Sequence, residues 1–315
     1  MSHESRKDKK NLEKEEKRLR RKEKKKLRRA ERAKRHEEKR NPIPVTIQEK
    51  IVPSIVDKVL LIGINYTGTS NELDGCINDS QNLGNRLIQL GRYKAEDITY
   101  MNDKRVNTIY YPSKQNILNQ LESLVQLALK NPFSQIRFFV GYSGHGSYLS
   151  DKNSDEVDKK DEVICPIDFQ TKGFIVDDDL NRNFVQRLTS NVTLIFLSDS
   201  CHSGTVLDLK YNYKIDSRNT CVVYGNYPES KANVILIGGC RDDQTSADAY
   251  LYDPQDQRNE YQGAMTGSFL ANYKPGISFY NLINSMRIWL AQKKYTQVIQ
   301  LSSGKNINTV SVFPL

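Results

Sequence analysis

The chain of 315 residues lacks any apolar run long enough to cross a membrane, and its first 40 residues are too highly charged for a secretory signal peptide. A membrane-spanning helix needs about 20 consecutive, mostly apolar residues. We therefore expect a protein without a transmembrane segment. It should reside in the cytoplasm, or in the nucleus if its basic segment acts as a nuclear signal.

Cysteine is scarce and irregularly spaced, with Cys76, Cys165, Cys201, Cys221 and Cys240 as the complete set. They form no CxxC pair of the zinc-binding type, and an odd number cannot form a fully paired disulfide framework. Both features suit a reducing compartment.

Positive charge is concentrated at one end. Twenty of the 47 Lys and Arg residues and nine of the 38 Asp and Glu residues lie in residues 1–40, which gives this segment a net charge of +11 and the remainder −2. We interpret residues 1–41 as a solvated, partly helical tail, residues 42–57 as a linker and residues 58–315 as the folded domain. The tail should attract nucleic acid or acidic surfaces weakly by charge, but it has no aromatic residue for base stacking.

From residue 58 onward, strand-like and helix-like runs alternate. Such alternation predicts an α/β fold with helices on both sides of a mostly parallel sheet. The predicted strands lie near 58–64, 98–102, 135–142, 192–199, 234–240 and 296–301, and the predicted helices near 77–90, 113–130, 178–188, 264–273 and 279–294.

Two of these strands are followed within a few residues by side chains that suit nucleophilic catalysis. His145 follows the apolar run 136–140 and Cys201 follows the run 192–197. Parallel neighbouring strands would bring both to the same carboxyl edge of the sheet. An imidazole that takes the thiol proton creates the attacking thiolate and can later protonate the leaving amine.

The histidine content supports this pairing. The chain has four histidines, of which His3 and His36 lie in the charged tail. His202 directly follows Cys201 and would point to the opposite side of a continuing strand, which leaves His145 as the base. The main-chain N–H groups of Gly146 and Cys201 are candidate donors to a developing oxyanion. The alternative is that Cys201 is a small buried hydrophobic residue.

These motifs resemble those of the metacaspases, the caspase-like cysteine peptidases, and the short spacing after Cys201 is similar to that of their type I members. The resemblance extends from Lys58 to about Leu315. It implies a caspase-like three-layer sandwich and a calcium-dependent peptidase that cuts after Arg or Lys. The matching segments are residues 61–66, 73–79, 142–146, 199–204 and 239–249.

The resemblance places Asp79, Ser143 and Asp199 in the substrate pocket. Ser143 lies two residues before the base and Asp199 two before the nucleophile, so strand periodicity sends each to the same side as its catalytic neighbour. Two carboxylates can clamp one guanidinium group. The alternative is that Asp79 favours the first turn of a helix and Asp199 caps the end of a strand.

The resemblance also implies a calcium site formed by Asp161, Asp177, Asp178 and Asp208. Calcium prefers several oxygen ligands in a flexible geometry, and aspartates from separate loops would tie those loops together only when the ion is bound. The alternative is that Asp177 and Asp178 merely begin a helix and Asp161 is solvated.

Together these features predict a monomeric, calcium-dependent cysteine endopeptidase that acts on protein or peptide substrates with Arg or Lys at the cut site. A zymogen that cleaves its own basic tail would follow from that specificity. The alternative is an inactive caspase-fold scaffold that binds partners through the tail.

Overall fold

A computed structural model of the chain describes residues 3–40, 54–150, 160–201, 203–215, 220–223, 227–239, 248–253 and 258–315. The chain divides into two compact units at residue 52. The first contains one helix, α1 (His3–Arg40), and the side chains of residues 14–36 on it are exposed. No helix in the described ranges is both long enough and apolar enough to span a membrane.

The second unit is built on an eight-stranded sheet with the strand order β2-β1-β3-β7-β10-β13-β8-β9. The first five strands in that order are parallel, and the last three add in antiparallel fashion. The strands are β1 (Ile55–Gly63), β2 (Ile98–Asn102), β3 (Gln135–Ser143), β7 (Val192–Asp199), β8 (Tyr211–Lys214), β9 (Thr220–Val223), β10 (Asn233–Gly238) and β13 (Gln300–Ser303).

Helices cover both faces of this sheet because its central strands are apolar on both sides. Along β1, Leu60 and Ile62 join the core beneath α3 and α5, whereas Val59 and Leu61 join the core beneath α2, α6 and α7. The predicted three-layer α/β sandwich with a mostly parallel sheet is confirmed. The helices are α2 (Cys76–Gln89), α3 (Lys114–Lys130), α4 (Phe169–Lys172), α5 (Asp177–Asn183), α6 (Ala264–Asn272) and α7 (Phe279–Gln292).

Two small sheets lie outside the main one. One has three strands, β4 (Gly146–Ser150), β5 (Lys160–Ile164) and β6 (Ile175–Val176), and the other is the hairpin β11 (Asp248–Asp253) and β12 (Arg258–Gly263). The first begins directly after His145, and α6 begins directly after the second. The first small sheet therefore carries the predicted site residues Gly146, on β4, and Asp161, on β5.

Several element boundaries differ from those predicted from the sequence. β1 begins at Ile55, within the predicted linker, because its pairing with β3 extends to Gln135 and Asp57 forms an ion pair of 2.5 Å with Arg137. The helix predicted at 178–188 ends at Asn183 and is followed by a 3₁₀ turn, Val185–Arg187. β13 begins four residues later than predicted.

Candidate active site

The sheet brings the His145 and Cys201 segments side by side. β3 and β7 are parallel neighbours, and their last residues, Ser143 and Asp199, are directly paired. Beyond that pair, the Gly144 N–H donates to the Asp199 carbonyl at 3.3 Å. A Cβ atom on Gly146 would overlap the carbonyl oxygen of Cys201, so only glycine permits this approach. The predicted convergence at one sheet edge is therefore present in the main chain.

The three cysteine side chains that the structure describes differ in accessibility. Cys76 and Cys165 are buried, whereas Cys201 is partly exposed. Burial and, to a smaller extent, the nearby Cys201 thiolate raise the pKa of the Cys165 thiol to about 12. Cys165 thus remains a neutral thiol at physiological pH, and Cys201 is the one of the three that a substrate can reach.

The imidazole of His145 is oriented by a main-chain carbonyl. Its Nε2 lies 2.8 Å from the carbonyl oxygen of Asn71. A carbonyl can only accept a hydrogen bond, so Nε2 carries the proton in the neutral ring and Nδ1 is the nitrogen available to accept one. When Nδ1 does so, the Asn71 carbonyl also stabilises the resulting imidazolium ion.

Two buried tyrosines hold the backbone of His145. The Tyr66 hydroxyl accepts from the His145 N–H at 3.0 Å and donates to the Cys165 carbonyl at 2.6 Å. The Tyr142 hydroxyl donates to the His145 carbonyl at 2.7 Å and accepts from the Cys165 N–H at 3.1 Å. Burial raises the pKa of both phenols well above the usual range, so both stay neutral. The Tyr66 ring also packs against the imidazole, with centroids 4.7 Å apart.

We expect Tyr66→Phe to lower kcat about tenfold with little change in KM, because the variant keeps the ring but loses the hydrogen bonds to the His145 N–H and to the Cys165 carbonyl. Tyr213→Phe is the matched control, since this buried hydroxyl bonds to Asn306 and Ile307 instead. Steady-state kinetics and thermal unfolding of both variants provide the check. If Tyr66→Phe and Tyr213→Phe lost the same amount of thermal stability and also the same fraction of kcat, a positioning role for Tyr66 would be contradicted.

The three predicted pocket residues lie together. The Ser143 hydroxyl donates to Oδ2 of Asp79 at 2.5 Å, and Ser143 is the register partner of Asp199. Both carboxylates are buried, at 0% and 4% exposure.

The β12–α6 junction contacts both carboxylates. The Gly263 N–H donates to Oδ1 of Asp79 at 2.9 Å, and the Thr266 N–H donates to Oδ2 of Asp199 at 2.8 Å. A Cβ atom on Gly263 would overlap the Asp199 carboxylate and lie 2.7 Å from Oδ2 of Asp79. The two aspartates and this junction therefore form one closely packed acidic cluster.

The four aspartates of the predicted calcium site come from three connected segments. Asp161 is on β5, and the N–H of the next residue, Glu162, donates to Oδ2 of Asp177 at 2.5 Å. Asp177 and Asp178 begin α5, where Asn181 donates to the Asp208 carbonyl at 3.0 Å. Asp161, Asp177 and Asp208 are all buried, which is costly for carboxylates and typical of groups that bind a cation.

The chemistry of this donor set fits calcium, since every side chain offers carboxylate oxygens. The arrangement is not preassembled: across the described ranges, no three or more His, Cys, Asp or Glu side chains are grouped closely enough to hold a metal ion. Both oxygens of Asp177 also accept main-chain N–H groups, from Glu162 and Asp178. An ion at this site would have to draw the three segments closer together.

Sequence reasoning missed several residues around the dyad. Asn71 acts through its main-chain carbonyl, which has no side-chain signature. Tyr66 and Tyr142 lie in the motifs noted above, but a buried tyrosine alone does not indicate what its hydroxyl contacts. Gly263 and Thr266 reach the pocket through main-chain N–H groups more than 60 residues away from either aspartate in the sequence.

Comparison with known proteins agrees with this geometry. A family model of the metacaspase peptidase C14 domain matches residues 57–210. Metacaspase-1 of Kluyveromyces lactis is 38% identical in an alignment that covers 80% of this chain and 67% of that protein. Metacaspase-1A of Neurospora crassa is 36% identical in an alignment that covers 81% of this chain and 64% of that protein. The chain thus spans about two thirds of the length of these relatives.

A solved structure of a protein from Geobacter sulfurreducens is also similar. It superimposes with a TM-score of 0.54 at 22% identity and covers 82% of this chain and 98% of its own. At that identity the likeness concerns the fold alone.

Proposed function

This chain belongs to the metacaspases, a family of caspase-like cysteine peptidases, and from that premise we propose that it is a calcium-activated endopeptidase that cleaves after Arg or Lys. The observation that carries the proposal is the buried acidic cluster of Asp79 and Asp199 beside the Cys201 segment, which we propose to be the substrate pocket. Two buried carboxylates at the substrate edge of the sheet are the chemistry that recognises a long cationic side chain.

The proposed reaction begins at the thiol of Cys201. Nδ1 of His145 takes the thiol proton, and the thiolate attacks the carbonyl carbon of the scissile bond. The N–H groups of Gly146 and Cys201 are the proposed donors to the oxyanion that forms. Collapse of this intermediate breaks the C–N bond, and the imidazolium returns its proton to the leaving amine.

The acyl-enzyme is then hydrolysed. Water attacks the thioester carbonyl as His145 accepts a proton from it, and the thiolate leaves and is reprotonated. Throughout both halves, the Asn71 carbonyl and the two tyrosine hydroxyls keep the ring and backbone of His145 in place. When bound, a calcium ion would neutralise the Asp161, Asp177, Asp178 and Asp208 carboxylates and hold their segments together.

Hydrolysis of fluorogenic peptides that end in Arg, Lys or Asp tests the function. We expect hydrolysis of the Arg and Lys peptides in millimolar calcium, and none of the Asp peptide, which would place like charge against the pocket. No turnover of any of them by the full chain would favour the alternative of a scaffold.

Titration of the divalent cation tests the calcium dependence. We expect half-maximal activation at about 10⁻⁴–10⁻³ M calcium and poor substitution by magnesium, which demands a smaller octahedral site.

Variants at the start of α5 test the proposed ligands. Asp178→Asn should raise the calcium concentration needed for half-maximal activation about tenfold, because it removes a charged ligand. The neighbouring Asp179→Asn is the matched control and should leave it unchanged. Calorimetric titration of calcium into Cys201→Ala protein measures binding without turnover, and equal affinities for both Asn variants would contradict the ligand set.

Self-processing extends the proposal. An enzyme that cuts after basic residues carries 20 of them in its first 40 positions, where local unwinding of α1 would expose the peptide bonds. Lys50 and Lys58, near the predicted linker, are two further candidate cleavage sites, of which Lys50 lies outside the described residues. Lys58 is in the middle of β1, paired with Phe138, so cleavage there would require breaking the sheet. The tail is therefore the favoured location.

A further inference from the structure

The basic residues of α1 are not distributed evenly around the helix. Within residues 14–36, ten of the fourteen Lys and Arg side chains occupy positions 14, 17, 18, 21, 24, 25, 28, 29, 32 and 35. These positions recur every three or four residues and cover an arc of about 140° at 100° per residue. We call this set the basic stripe. The four glutamates of the segment, Glu15, Glu16, Glu23 and Glu31, all lie outside the arc.

The stripe is a continuous exposed surface. Five of its side chains, Lys14, Lys17, Arg18, Arg21 and Lys25, lie next to one another on the helix surface. Residues 14–36 are exposed along their whole length. At 1.5 Å per residue the stripe is about 32 Å long. One turn of B-form DNA is about 34 Å long, and its major groove is wide enough to admit an α-helix.

We propose that the basic stripe binds double-stranded DNA without sequence preference, by lying in the major groove and neutralising phosphates. The helix carries no aromatic side chain on which single-stranded bases could stack. The major groove of A-form RNA is too deep and narrow for such a helix.

An acidic membrane is a poorer match for the same helix. Leu19 and Leu27, 59% and 65% exposed, lie outside the stripe, at about 150° and 130° from its centre. Inserting these leucines into a bilayer would turn the basic residues away from the headgroups. Binding along a duplex places all ten charges near phosphates and leaves the glutamates facing solvent.

Salt dependence measures the proposed contact. Each neutralised phosphate contributes about −0.9 to the slope of log K against log salt concentration. With about six phosphates contacted, the slope should be near −5, and affinity should fall about 10³-fold between 50 and 200 mM salt. The full chain carrying Cys201→Ala is titrated with a labelled 30-base-pair duplex, which keeps the tail intact and makes the result independent of peptidase activity.

Two triple variants with the same composition separate position from net charge. Lys17, Arg21 and Lys25 lie on the stripe, whereas Arg20, Lys26 and Lys34 lie outside it. Replacing each set with Gln removes three charges and preserves helix propensity, which circular dichroism checks. We expect the stripe variant to reduce the magnitude of the slope by about 2–3, and the control variant to change it by less than 1.

Four outcomes would overturn the proposal. They are equal slope changes in the two variants, equal or tighter binding to single-stranded DNA or double-stranded RNA, equal or tighter binding to phosphatidylserine vesicles, and no duplex binding at 50 mM salt.

Discussion

Replacing Cys201 by alanine is expected to reduce peptidase activity to background, because the variant lacks the thiol proposed to form the acyl-enzyme. His145→Ala should lower kcat about 10²–10⁴-fold, the usual contribution of a general acid–base group. The double variant should be no slower than Cys201→Ala, since the two side chains act as one unit. Initial rates with an Arg peptide in saturating calcium measure all three.

Cys76→Ala is the control for these variants. It removes a buried thiol from the first residue of α2, and we expect activity close to that of the wild type. Thermal unfolding of Cys201→Ala should give a transition near the wild-type midpoint, because Cys201 is partly exposed. Turnover by purified Cys201→Ala near the wild-type rate would exclude Cys201 as the nucleophile.

The second large effect concerns the charge of the substrate. Asp199→Asn is expected to lower kcat/KM for an Arg peptide about 10- to 150-fold, which corresponds to the loss of one charge-assisted hydrogen bond of about 1.5–3 kcal/mol. A citrulline peptide has nearly the same shape as the Arg peptide but no charge. Its hydrolysis should change little, so the ratio of kcat/KM for the Arg peptide to that for the citrulline peptide should collapse.

The ratio of the two kcat/KM values distinguishes a loss of substrate recognition from a structural defect. Asp199 also accepts the Thr266 N–H, so a structural defect would slow hydrolysis of both peptides equally. Asp97→Asn is the matched control, because Asp97 pairs with Lys58 at the edge of the sheet and has no part in the proposed pocket. An unchanged ratio in Asp199→Asn would remove Asp199 from the specificity pocket.

The sequence predicted the features of this fold that depend on long apolar runs. β2 and β7 have the predicted bounds, and the pairing of Ser143 with Asp199 follows from two strands that end beside one another. The strands added at the sheet margin were not predicted. β8 and β9 have four residues each, too short for a clear periodic pattern, and their position depends on pairing with β13 and with each other.

The parts of the site that sequence reasoning did not predict involve main-chain atoms or distant contacts. The Asn71 carbonyl orients His145 through an atom that every residue type possesses. The Gly263 N–H donates to Asp79, which lies 184 residues earlier in the sequence, and no local sequence pattern predicts such a contact. Cys201 and His145 could be recognised in the sequence because nucleophilic catalysis needs a thiol and an imidazole. The residues that hold them in place act through main-chain atoms and packing, which many residue types can provide.

Labelling with an arginyl peptide chloromethyl ketone tests the central claim most directly. A thiolate held beside a bound arginine displaces chloride and forms a stable thioether, so the modified residue identifies both nucleophile and pocket. In calcium, we predict one added label per chain, located on Cys201 by peptide mass mapping, and no labelling by the matching aspartyl reagent. A label on Cys76, Cys165, Cys221 or Cys240, or equal labelling by both reagents, would contradict the account.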